Sequence, residues 1–101
     1  MFKHIVCFKL KDSAEGASKA ENAKQIKTRL EALQGRIPGL QKLEVGINVV
    51  QDAAAYDIAL YSEFASREDA EKYQSHPEHQ AVAQFIGRVR EARVVVDYEA
   101  N

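Results

Sequence analysis

The sequence predicts an α+β domain in which helices cover one face of a four-stranded antiparallel sheet. Three observations carry that expectation. Three segments alternate apolar and polar residues with a period of two, and a fourth is rich in valine, as strands require. Two further stretches repeat their apolar residues at helical spacing. The helical stretches follow the first and third strands, so the order alternates in the way a split β-α-β unit does. With 101 residues, the whole chain (1–101) reads as a single domain with one thin core.

The first strand is Phe2 to Leu10, with Phe2, His4, Val6, Phe8 and Leu10 on one side. Asp12 to Gly16 is a polar connection. From Ser18 to Gln34 the stripe Ala20, Ala23, Ile26, Leu30 and Leu33 predicts a helix, which Gly35 ends. Ile37-Pro38-Gly39-Leu40 forms a turn: proline fixes one φ and glycine frees the next. Leu43, Val45, Ile47 and Val49 alternate along a second strand, and Tyr56, Ile58, Leu60 and Phe64 mark a third. Ser66 caps a short helix with acids in its first turn. Proline disfavours helical geometry in the residue before it, so this helix breaks at His76 and Pro77 opens the next. Ala92 to Glu99, with Val94, Val95 and Val96, is the last strand. The order β-α-β-β-α-α-β is that of a ferredoxin-like fold.

The reverse face of the sheet is expected to carry Ile5, Cys7, Ala59, Tyr61 and Val95, edged by Lys9, Glu63, Arg93 and Asp97. That strip is too apolar for a solvated surface and too charged at its rim for a second helical layer. It predicts a homodimer formed sheet to sheet; the other reading is a partly apolar solvent face on a monomer.

Composition narrows the function classes. A formal net charge of −1, with basic and acidic residues interspersed, gives no footprint for nucleic acid. No apolar run nears the ~20 residues that span a bilayer, and no signal-peptide pattern is present, so no membrane partner is expected. A cytoplasmic location is the expectation. The single cysteine, Cys7, cannot form an internal disulfide and reads as a small hydrophobe in a strand.

The chemistry-bearing stretch is Tyr73-Gln74-Ser75-His76-Pro77-Glu78-His79. On the helix after Pro77, His79 shares its side with Val82, Ala83, Ile86 and Val89, at intervals of three, four, seven and ten. It therefore faces the sheet, on the side that bears His4, Val6 and Phe8. Tyr73 lies one turn before the break. The expected site is a cavity between helices and sheet, with His4, Val6, Phe8, Ile26, Leu30 and Val82 around a small, mainly apolar molecule. A buried imidazole tends to be neutral, which suits His79 to act as general base, and the Tyr73 phenol suits hydrogen-bond donation to a carbonyl. The same spacing equally fits a core-edge histidine and tyrosine that bond only to backbone groups.

No metal site is expected. His76 and His79 straddle the break at Pro77, and neither a second histidine pair nor a cysteine cluster completes a ligand set. No cofactor is expected either: nucleophilic triads, phosphate-binding glycine loops and paired-carboxylate motifs are absent.

Four pieces in order resemble the stress-responsive A/B barrel (Dabb) family. They are Phe2-Lys3-His4-Ile5-Val6-Cys7-Phe8-Lys9-Leu10, the Ile37–Leu40 turn with Val45-Gly46, Tyr73 before His76-Pro77-Glu78-His79, and Val95-Val96-Asp97-Tyr98. The resemblance spans Met1 to about Glu99. It implies a dimeric α+β barrel of two ferredoxin-like subunits. It also implies likeness to a plant polyketide cyclase, in which a histidine and a tyrosine matching His79 and Tyr73 serve as base and carbonyl-holding group, and a histidine matching His4 lines the pocket. The first helix departs from that enzyme: Ala20, Ala23, Ile26 and Leu30 stand where it has bulky aromatics, so the implied cavity has a different shape. Tryptophan is absent, which argues against the monooxygenase and haem-degrading relatives.

Overall fold

The computed structural model describes residues 1–100. In chain order the elements are β1 (Phe2–Leu10), β2 (Ser13–Ala14), β3 (Ala17–Ser18), α1 (Lys19–Glu31), β4 (Leu40–Ile47), β5 (Ile58–Phe64), α2 (Arg67–Ser75), α3 (Pro77–Val89) and β6 (Arg90–Glu99). The four long strands form one antiparallel sheet in the order β4-β5-β1-β6. The fold is ferredoxin-like and α+β, in the predicted order. One addition is the small β2–β3 hairpin, where the sequence indicated only a polar turn. Asn22 on α1 explains it: this buried side chain donates to the Ala14 carbonyl at 3.0 Å and ties the hairpin to the helix. Asn22 takes the inward place at the start of α1, and Ala20 is exposed.

Helix α1 starts at a capping box, with Ser18 and Glu21 each satisfying the other's backbone N–H. It ends at Glu31, earlier than predicted; turns carry the chain through Gly35 (φ +82°), and Leu33 stays in the core. Helix α2 begins with the Ser66 hydroxyl accepting from the Asp69 N–H. It ends at Ser75, because His76 is extended (φ −66°, ψ 134°) in front of Pro77. The His76 ring then caps α3, its Nδ1 accepting from the Glu78 N–H at 3.1 Å. The break between the two helices is as expected.

β4 stops at Ile47, and Val49 lies outside it, 90% exposed. The core forms between helices and sheet: Val6, Phe8 and Leu10 from β1, Val45, Ile58, Leu60 and Phe64 from β4 and β5, and Ile26, Leu30, Val82, Phe85, Ile86 and Val89 from the helices.

The register of β6 corrects one assignment. Val6 faces Val95, Phe8 faces Arg93 and His4 faces Asp97 across the β1–β6 ladder. Residues opposed in a ladder share a face. Val95, Arg93 and Asp97 therefore belong to the helix side, and Val94, Val96 and Tyr98 join Ile5, Cys7, Ala59 and Tyr61 on the open face. Three consecutive valines read equally well in either phase, so alternation could not decide it.

Candidate functional site

Three elements converge on one place: the middle of β1, the start of α3 and the first half of β6. Between them is a cavity of about 220 Å³, walled by Val6, Phe8, Leu30, Leu60 and Ile86. Its polar groups are His4, Gln74, His79, Arg90 and Arg93. An adjoining cleft of about 360 Å³ under α2 shares His4, Gln74 and Arg93, and continues to Val95 and Asp97 on the uncovered helix side of β6.

His4 is buried, and its Nδ1 bonds to the Asp97 carboxylate. A carboxylate only accepts, so Nδ1 carries the proton and Nε2 is the atom left for other chemistry. His79, half-buried, donates from Nδ1 to the Gln74 carbonyl at 3.2 Å, which likewise leaves Nε2 as acceptor. Burial holds the His79 pKa below its ordinary value; the Gln74 carbonyl opposes this, and the charges of His4, Arg93 and His76 add to it.

Tyr73 is completely buried, its ring 4.4 Å from that of His79 and 5.1 Å from that of Phe64. Its hydroxyl is the one buried side-chain polar atom without a hydrogen-bond partner among the described residues. Desolvation pushes the phenol pKa well up.

The expected site residues thus divide. His4, Val6, Phe8, Leu30 and His79 come together around the cavity. Tyr73 touches His79 but is packed behind it, outside the cavity wall. Ile26 and Val82 are not part of the wall: both are buried in the core, and Leu30 and Ile86 line the cavity from the same helices. Gln74, Arg90, Arg93 and Asp97 were missed. For Arg93 and Asp97 the cause is the ambiguous phase of the valine run. Arg90 was placed outside the last strand altogether. Gln74 contributes through its carbonyl, which no residue type reveals. No group of three or more His, Cys, Asp or Glu capable of holding a metal is present among the described residues. None of their helices is long and apolar enough to cross a membrane.

A ferredoxin-like subunit with an apolar cavity beneath its helices defines the class. Residues 2–100 match the stress responsive A/B barrel domain, and the chain belongs to that Dabb family. An uncharacterised protein of Streptomyces coelicolor is 31% identical over 99 residues, covering 98% of this chain and 99% of its own. Among solved structures, a dimeric protein of ferredoxin-like fold from Bacteroides fragilis matches with TM-score 0.86 at 39% identity, over 98% of this chain and 95% of that one. The hydroxynitrile lyase of Passiflora edulis matches with TM-score 0.81 at 23% identity, over 99% of this chain and 93% of the lyase, a likeness of fold alone.

Proposed function

We propose that this chain is a cytoplasmic homodimer that binds a small, mainly apolar molecule between its helices and sheet. The cavity carries the reading: a concave chamber with an aliphatic and aromatic wall and a few polar groups is the usual form of a small-molecule site. The open face supports the dimer. Val94, Val96 and Tyr98 are 49%, 59% and 42% exposed on one edge strand, beside Ile5, Cys7 and Tyr61. So much aligned apolar surface calls for a partner sheet, and the Bacteroides relative is dimeric. Val96→Asp should shift the protein from dimer to monomer in analytical ultracentrifugation; an unchanged dimer would move the interface elsewhere. The cavity is tested with Ala83→Phe, a change at an exposed position of its rim. Binding of neutral alkyl probes, followed by NMR, should be lost in the variant while its melting temperature holds. Retained binding would refute the cavity as the site.

A second reading is favoured by the two imidazoles that border one chamber, each with Nδ1 occupied and Nε2 left as acceptor. Here the protein is a lyase- or cyclase-type enzyme, with His79 as general base and Tyr73 as hydrogen-bond donor to the forming carbonyl or enolate. For Tyr73 to reach a substrate, the His79 ring has to swing aside. His79→Ala should abolish turnover on a panel of cyanohydrins and polyketide thioesters while the dimer stays folded. Equal loss of melting temperature and activity would mark His79 as structural.

A further inference from the structure

The sheet irregularity at the start of β6 has a chemical result. Leu10 pairs with Arg90 and Lys9 with Ala92, so Glu91 is an extra residue in the ladder. Residues three apart on a regular strand lie on opposite faces. The bulge cancels that rule, and Arg90 and Arg93 both border the same 220 Å³ chamber. Neither guanidinium has a carboxylate or hydrogen-bond partner among the described residues, whereas Lys9 on the neighbouring strand is paired with Glu91. The chamber's lining contains no Asp or Glu. Glu91, the nearest acid in sequence, is 4.0 Å from Lys9, and Asp97 is held by His4.

An apolar chamber with two uncompensated arginines at one end has the polarity of an amphipathic anion. Guanidinium matches carboxylate or phosphate oxygens in bidentate geometry, and it binds more strongly where the surroundings exclude water. We infer that the ligand of this chamber carries a short apolar body and an oxyanion head, the body between β1 and α3 and the head on Arg90 and Arg93. This rests on the apolar-ligand reading above and adds the charge and orientation of the molecule. His4, Gln74 and His79 border the same chamber.

The test compares octanoate, octyl phosphate and octanamide, which share one chain and differ in the head, by isothermal titration calorimetry. At least one of the two anions should bind about tenfold or more tightly than the amide, as charge-assisted bidentate pairs do. The stronger of the two identifies the head. Arg90→Gln and Arg93→Gln should each weaken the anion several-fold, the double variant should erase its advantage, and octanamide should be unaffected. Added salt should weaken only the anions. Arg93 is exposed, Arg90 is half-buried and neither belongs to the buried core, so circular dichroism melts of the variants should match the parent. If all three probes bind alike, or if the arginine variants bind anions normally, the oxyanion assignment is overturned while the apolar chamber stands. If no probe binds, the apolar-ligand reading falls and takes this assignment with it.

Discussion

Replacing Tyr73 with phenylalanine should make this protein more stable. The hydroxyl is fully buried and has no partner among the described residues, so folding strips it of water and returns nothing. An unsatisfied buried hydroxyl costs about 1–3 kcal/mol. Phenylalanine keeps the ring, and with it the contacts to Phe64 at 5.1 Å and His79 at 4.4 Å. A gain of about 1 kcal/mol is therefore expected, which for a domain of this size raises the melting temperature by about 4–8 °C. Differential scanning calorimetry at one fixed protein concentration measures it, since a dimer's melting point depends on concentration. Tyr73→Leu is the control. It removes the aromatic packing as well and should cost about 1–3 kcal/mol. A lower melting temperature for Tyr73→Phe would mean that the hydroxyl has a stabilising partner, and the case for a phenol held in reserve for a ligand would fail. A gain in stability joined to a loss of binding or turnover would mark the hydroxyl as kept for function at a cost to the fold.

Two other outcomes can be checked together. The His79 pKa is depressed by burial from an ordinary 6.5, so the unfolded chain takes up this proton first as the pH falls. The contribution of His79 is thus intact above about pH 6.5 and is lost as the pH drops from there through the folded value. Melting temperatures from pH 7.5 to 5 should fall less steeply in His79→Gln than in the parent; parallel curves would refute the depressed pKa. Gly39 has φ +85°, and a Cβ there would lie 2.6 Å from Cβ and Cγ of Asp69, close to the backbone of α2. Gly39→Ala should cost about 1–3 kcal/mol in chemical denaturation; an unchanged midpoint would show that α2 yields freely.

The sheet and helices were legible because burial imposes periodicity on sequence. Val6, Phe8 and Leu10 could only point one way once His4 and Phe2 shared their side. The helix break was legible from Pro77 alone, through a local steric rule. The placing of His79 and His4 together followed from adding those two facts. What stayed hidden depends on pairing partners. The face of Arg93 and Asp97 is set by their register against β1, and a run of three valines contains no phase. The sealing of Tyr73 behind His79 depends on how α2 packs against α3, which spacing does not encode. Ile26 and Val82 have the right period for a cavity wall, but period distinguishes inside from outside, not lining from core.

The bulge at Glu91 leaves the chamber tolerant of an uncommon kind of change. Loss of this one residue would leave composition and hydropathy almost untouched, and the stretch from Arg93 to Glu99 would keep its place beside β1. Arg90 would stay opposite Leu10 on the helix side, now two places from Arg93 on a regular strand, and only the joint after the last helix would be shortened. Relatives that lack one residue here should therefore still present both basic side chains to the same hollow, whereas replacing either of them would change what it can hold.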